Sequence, residues 1–121
     1  MGYYSQVAIV IEFSTPEQAD KYFSTWLKKY SPKCEKNYFI QQVDIKGRCL
    51  TFEADWVKWY DDYADVQEMT KFYKNSLDAE GFVGYAFKRL GESEDDYEEY
   101  YEGVRPWEYI DTVRNLETTF V

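Results

Sequence analysis

Tyr4-Ser5-Gln6-Val7-Ala8-Ile9-Val10-Ile11-Glu12-Phe13-Ser14-Thr15-Pro16-Glu17-Gln18-Ala19 is the stretch that decides the fold. Val7, Ile9, Ile11 and Phe13 fall on one side of an extended chain, because successive side chains of a strand point to opposite faces. Ala8 and Val10 make the other side partly apolar, which marks a central strand. At Thr15 the period changes. Thr15 reads as an N-cap, Pro16 as the first helical residue and Gln18 as the partner that closes a capping box. Ala19, Tyr22, Phe23, Trp26, Leu27 and Tyr30 then recur at the spacing of one helical stripe, and Pro32 ends it.

Outward from this unit the same reasoning places strands over Tyr38–Ile45 and Arg48–Trp56, joined by a hairpin turn at Lys46-Gly47. Leu50, Phe52, Ala54 and Trp56 are expected on one face. A second helix starts near Asp62 or Asp65, the latter with a capping box to Glu68, and runs to Glu80. Its stripe is Val66, Met69, Tyr73 and Leu77, with Gly81 as the stop. Phe82–Leu90 is the next strand, Gly91–Asp96 a turn, Tyr97–Glu102 a short strand and Tyr109–Thr119 a final one. The expected fold is α+β: a ferredoxin-like split βαβ sandwich (βαββαβ) over residues 1–90, with a C-terminal β extension over 91–121. Both helical stripes are one-sided, so both helices should cover one face of an antiparallel sheet. At 121 residues there is room for one domain and one core.

Composition excludes several chemistries. With no His in the chain, His-based triads, His general bases and His-ligated metals are ruled out. Walker A, GxGxxG, GxSxG and CxxC patterns are absent, so no catalytic residue, metal or cofactor is expected. Net charge is −9, and it is lopsided: residues 1–50 carry 7 basic and 5 acidic side chains, residues 51–121 carry 7 and 18. Such a surface repels phosphates, which argues against direct nucleic-acid binding and against anionic membranes. Lys46-Gly47 faintly echoes an RNA-recognition strand motif, but Arg48-Cys49-Leu50-Thr51-Phe52 lacks its paired exposed aromatics. The longest apolar run, Val7–Ile11, is far short of a membrane span, and no signal peptide is read. Cytoplasmic location follows as an expectation, with Cys34 and Cys49 both unbonded.

Two segments are candidates for function. The first is Glu92–Glu102, where Glu92, Glu94, Asp95, Asp96, Glu98, Glu99 and Glu102 interleave with Tyr97, Tyr100 and Tyr101. No Lys or Arg stands between Arg89 and Arg105. Read functionally, this is an anionic aromatic patch for a basic protein partner, imitating a phosphate backbone. Read structurally, it is a solvated edge whose charges prevent sheet-to-sheet pairing. An EF-hand calcium loop is excluded by the missing Asp spacing and glycine. The second is Trp56-Val57-Lys58-Trp59-Tyr60-Asp61-Asp62-Tyr63, where Trp56, Trp59, Tyr60 and Tyr63 form a crevice for a small ligand or a reaction, with Asp61, Asp62 and Asp65 at its mouth. The competing reading is that Trp56 and Trp59 plug a sheet–helix junction.

Three stretches together resemble a family of small, uncharacterised, acidic phage and prophage proteins. They are Met1-Gly2-Tyr3-Tyr4-Ser5-Gln6-Val7-Ala8, then Val57-Lys58-Trp59-Tyr60-Asp61-Asp62-Tyr63-Ala64-Asp65-Val66, and Arg89-Leu90-Gly91-Glu92 running into acids. The family often has Pro where Ala64 stands, a change the first turn of a helix absorbs. The resemblance implies a phage-encoded accessory protein in the host cytoplasm and brings no catalytic residue. The class suggests a non-enzymatic inhibitor of a host defence or nucleic-acid-handling complex, an anti-CRISPR candidate among other anti-defence roles. A ligand-binding or catalytic domain and a structural or assembly protein stay open beside it.

Overall fold

The computed structural model describes residues 3–30, 37–93, 95–103, 110–112 and 116–118. In chain order the elements are β1 (Ser5–Phe13), α1 (Pro16–Lys29), β2 (Asp44–Lys46), β3 (Cys49–Val57), α2 (Ala64–Asn75), β4 (Phe82–Leu90), β5 (Tyr97–Gly103), β6 (Ile110–Thr112) and β7 (Leu116–Thr118). Short 3-10 turns occupy Ile40–Gln42 and Ser76–Asp78. The fold is α+β, with a five-stranded antiparallel sheet in the order β2-β3-β1-β4-β5. The sheet therefore departs from the four-stranded order of a plain split βαβ unit. β1 is central as its two apolar sides require: Ile9 pairs with Phe52 on one flank and Phe87 on the other.

Both helices cover one face. Val7, Ile9, Ile11, Phe13, Leu50, Phe52, Tyr85 and Phe87 from the sheet meet Ala19 and Trp26 of α1 and Val66, Met69, Phe72 and Tyr73 of α2. Phe72 is the hub between the helices, with its ring 5.3 Å from Trp26 and 5.9 Å from Phe23. The opposite face is built from small residues, Ala8, Val10, Cys49 and Ala86. β7 lies against β1 and β3, and β6 against β1. Glu12, buried in that layer, holds Arg48 Nε at 2.7 Å.

The start of α1 follows the sequence in part. Thr15 is the N-cap and its Oγ1 accepts from the Gln18 amide at 3.2 Å. Gln18 does not return the bond: its Oε1 is buried without a hydrogen-bond partner and lies against Gly81. Gly81 has φ +81, and a Cβ there would collide with that oxygen. Glu17 in the first turn and Lys28 and Lys29 in the last complement the helix dipole.

Five expectations need correction. Helix α2 begins at Ala64 behind Tyr63, without a side-chain cap, so the Asp65–Glu68 capping box is not formed. Asp65 Oδ1 accepts from Val66 N, and Glu68 turns inward. Leu77 is exposed, because α2 tightens into a 3-10 turn at Ser76 and rotates Leu77 off the stripe; Phe72 takes the buried position instead. Tyr38–Ile45 is not one strand: Phe39, Ile40 and Val43 are buried at helix-like spacing around the 3-10 turn, and only Asp44–Lys46 pairs. The Leu50–Trp56 face breaks after Ala54. Ser5 pairs with Val57 but Val7 with Ala54, so β3 carries one extra residue, a bulge that sends Val57 to the core and Trp56 outward. Finally, the tail forms two short strands, β6 and β7, paired with each other rather than one long strand. Cys49 is buried as a thiol. Cys34 lies outside the described residues.

Candidate functional site

The acidic strand is β5, at the edge of the sheet beside β4. Its register, Phe87 opposite Tyr100, Lys88 opposite Glu99 and Arg89 opposite Glu98, sorts its side chains by face. Glu98, Tyr100 and Glu102 share the helix side with Arg89, Phe87 and Tyr85. Tyr97, Glu99 and Tyr101 share the other side with Lys88 and Ala86. Tyr100 stacks on Phe87 with centroids 5.8 Å apart, while Tyr101 packs on the small-residue layer.

Register also supplies the cations that the local sequence lacks. Arg89, 9% exposed, donates from Nη2 to Asp96 Oδ1 at 2.7 Å and to Glu98 Oε1 at 2.8 Å, and from Nη1 to Ser5 Oγ at 3.0 Å. Tyr3 Oη donates to Asp96 Oδ2 at 2.5 Å and accepts from Ser93 N at 3.1 Å. Burial works against the Arg89 charge, but the hydrogen bonds to Asp96 and Glu98 outweigh it and raise its pKa. Those from Arg89, then Tyr3, hold Asp96 below the usual carboxylate range. On the other face the Tyr101 hydroxyl donates to Glu99 Oε2 at 2.6 Å, and Lys88 Nζ stands 3.8 Å from the same oxygen. The Tyr101 bond lowers the Glu99 pKa against an opposing effect of burial, with Tyr97 and Lys88 adding to it. The reading of a run without compensating cations is thus corrected for Asp96, Glu98 and Glu99. Glu92, Asp95 and Glu102 are exposed, Glu92 accepting from Tyr4 N at 3.0 Å. Glu94 lies outside the described residues.

The aromatic segment does not line one crevice. Trp59 is core, with Phe39, Phe52 and Phe87 rings 5.1, 6.1 and 6.2 Å away. Tyr60 Oη accepts from Tyr3 N at 2.6 Å, and Tyr63 meets the Tyr60 ring edge-on. Asp61 and Asp62 are exposed and Asp65 half-buried. Trp56 points outward, 65% exposed, and stacks on Tyr4.

Instead, two open cavities bring the two candidate segments together. One, of about 360 Å³, runs between α2 and β5: Trp59, Tyr73, Phe87 and Tyr100 are apolar lining, and Asp61, Lys71, Lys74 and Glu98 are charged. Lys74 Nζ sits 5.7 Å from the Tyr100 ring centroid. The second, of about 490 Å³, lies at the end of the sheet, with Trp56 and Asp55 on one side and Glu92, Ser93 and Asp96 on another. The sequence reading missed Tyr3, Tyr4, Asp55, Lys88 and Arg89; Lys88 and Arg89 enter through strand register, Tyr3 and Tyr4 through their contacts with Tyr60, Asp96, Glu92 and Trp56. Pairing Lys88-Arg89 with Glu98-Glu99 across the Gly91–Asp96 turn is the signal that finds the cations. Among the described residues no group of three or more His, Cys, Asp or Glu side chains is placed to hold a metal ion, and no helix is long and apolar enough to cross a membrane. No protein-family model matches the chain, and no curated protein or solved structure is significantly similar to it.

Proposed function

We propose that this chain is a non-enzymatic protein-binding domain whose edge strand β5 and preceding turn receive a basic partner. One observation carries the reading: Tyr97, Glu99, Tyr100 and Glu102 stand exposed on a strand that is an edge of the sheet among the described strands. Such an edge offers backbone groups, aromatic area and negative charge together. The resemblance to acidic phage proteins supports a host protein as the partner, a defence or nucleic-acid-handling complex inhibited by occlusion, in the host cytoplasm. We also propose a ferredoxin-like core to which β5 is added; β1 flanked by β3 and β4, with β2 beyond β3, supports that reading.

The test reverses charge where the fold does not need it. Substitution at Glu98 or Glu99 would set a cation against Arg89 or Lys88, so the variant pair is Asp95→Lys with Glu102→Lys, both exposed. Capture from host lysate should fall in the variant, and native capture should fall steeply with salt, as charges beyond about 10 Å are screened near 0.1 M. Unchanged capture with unchanged salt dependence leaves β5 as a solvated edge. A small-ligand reading is favoured by the α2–β5 groove, where Tyr100 offers a half-exposed ring beside Lys74. Ligand-dependent stabilisation that is equal in the native and charge-reversed proteins would select it, since Asp95 and Glu102 do not line that groove.

A further inference from the structure

Trp56 is the one non-glycine residue with a left-handed backbone among the described residues, at φ +59. That conformation costs about 1–2 kcal/mol for an L-residue, and here it does not place the ring in the core. The β3 bulge turns the indole out against Tyr4, with centroids 4.9 Å apart and planes 5° from parallel. A ring that stacks on one face and is still 65% exposed shows its other face to solvent. That ring borders the cavity of about 490 Å³ that Asp55, Glu92 and Asp96 also line. Asp96 is taken by Arg89 and Tyr3, whereas Asp55 is exposed and exposed Glu92 spends Oε2 on the Tyr4 amide. The stack already attracts a cation, since Lys58 Nζ stands 5.9 Å from the Tyr4 ring centroid.

We infer that the Trp56–Tyr4 stack, with Asp55 and Glu92, is a recognition pocket for an arginine side chain of the basic partner. The inference rests on the protein-binding reading above and names the group that the partner inserts. Guanidinium is planar, so it lies flat on an open indole face while its N–H fork reaches a carboxylate. An ammonium has the charge without the plane, and is more strongly hydrated. Discrimination between the two separates a built pocket from general attraction to an acidic protein.

The experiment titrates hexa-arginine and hexa-lysine peptides into the full chain at low salt, with binding read by calorimetry and by the indole N–H resonance of Trp56. Native protein should bind the arginine peptide roughly five- to tenfold more tightly, and only that peptide should shift the Trp56 resonance strongly. Trp56→Gly, which suits φ +59, should abolish the preference while both peptides retain a shared residual affinity; Trp56→Leu should do the same. Equal affinity of native protein for both peptides, or a preference that survives loss of the ring, overturns the pocket. If the preference ignores Trp56 but both peptides are lost with Asp95→Lys and Glu102→Lys, the β5 reading stands and only this pocket fails. If neither peptide binds native protein, both fail.

Discussion

Trp26 of α1 donates its indole N–H to Glu68 Oε2 of α2 across 3.3 Å, and Asn37 Nδ2 donates to the other oxygen of the same carboxylate at 3.1 Å. Glu68 is 2% exposed and Asn37 3%, so a buried acid ties α1, α2 and the segment before the first 3-10 turn into one joint. Asn37 Oδ1 in turn accepts from Phe39 N at 2.9 Å and Ile40 N at 3.3 Å, fixing the turn itself.

Glu68→Leu should lower stability by about 2–4 kcal/mol, because the indole N–H stays buried without an acceptor and Asn37 Nδ2 keeps only the Asp65 carbonyl. Glu68→Gln keeps an acceptor and should cost less. Trp26→Ala should cost about 3–5 kcal/mol, as truncation of a large core side chain does. In urea melts the double variant should fall short of the sum of the two, since they share one contact. Strict additivity would show that the indole–carboxylate bond contributes nothing.

Asp96 and Glu99 predict an acid limb. Their folded-state pKa values are depressed, so the stability they add is fully present above the ordinary value of each and is lost as pH falls through the lower one. Asp96→Asn should therefore destabilise at neutral pH, and the gap to native protein should narrow as pH falls below the ordinary carboxylate value. Stability curves against pH for both proteins check this; a constant gap means that Asp96 acts through shape and not charge.

Trp56→Gly should be almost neutral for stability. It gives up a ring stack worth about 0.5–1.5 kcal/mol and relieves left-handed strain of about 1–2 kcal/mol, with glycine's added chain entropy offsetting about 0.5–1 kcal/mol. Thermal melts should place it within about 1 kcal/mol of native. A much larger loss would show that the exposed ring braces the end of the sheet.

Gly81→Ala should destabilise for two separable reasons: φ +81 disfavours an L-residue, and the new methyl meets Gln18. Adding Gln18→Ala removes the second cause only, at little cost of its own, because Gln18 Oε1 has no hydrogen bond to lose. The double variant should recover part of the loss and leave about 1–2 kcal/mol from the backbone. Full recovery would assign the whole effect to crowding.

The elements with unambiguous periods are legible in the sequence: β1 from its alternation, α1 from its cap and stripe, β4 residue for residue, and the turn at Gly47, whose φ is +59. What escaped was non-periodic or non-local. One inserted residue in β3 reverses every side chain after it, so alternation counted through Trp56 puts the wrong aromatic in the core. Phe39, Ile40 and Val43 are spaced for a helical turn, but the Tyr38–Ile45 run is also rich in strand formers, and the two signals conflict. At the candidate site the carboxylates could be read from the sequence and their partners could not, because Arg89 and Lys88 reach them through antiparallel register.

The position of β1 in the chain has a consequence for how the molecule assembles. β1 comes first among the strands, yet both its sheet neighbours are distant, with Ile9 paired to Phe52 and to Phe87, and β7 lies against it from still further along. Contacts of such long sequence separation slow folding, because the loop entropy is spent before the pairing is gained. During synthesis the second flank of Val7 to Ile11 must wait, unpaired, until β4 has been made. The same apolar stretch that announces the fold is therefore its most aggregation-prone segment until the sheet closes around it.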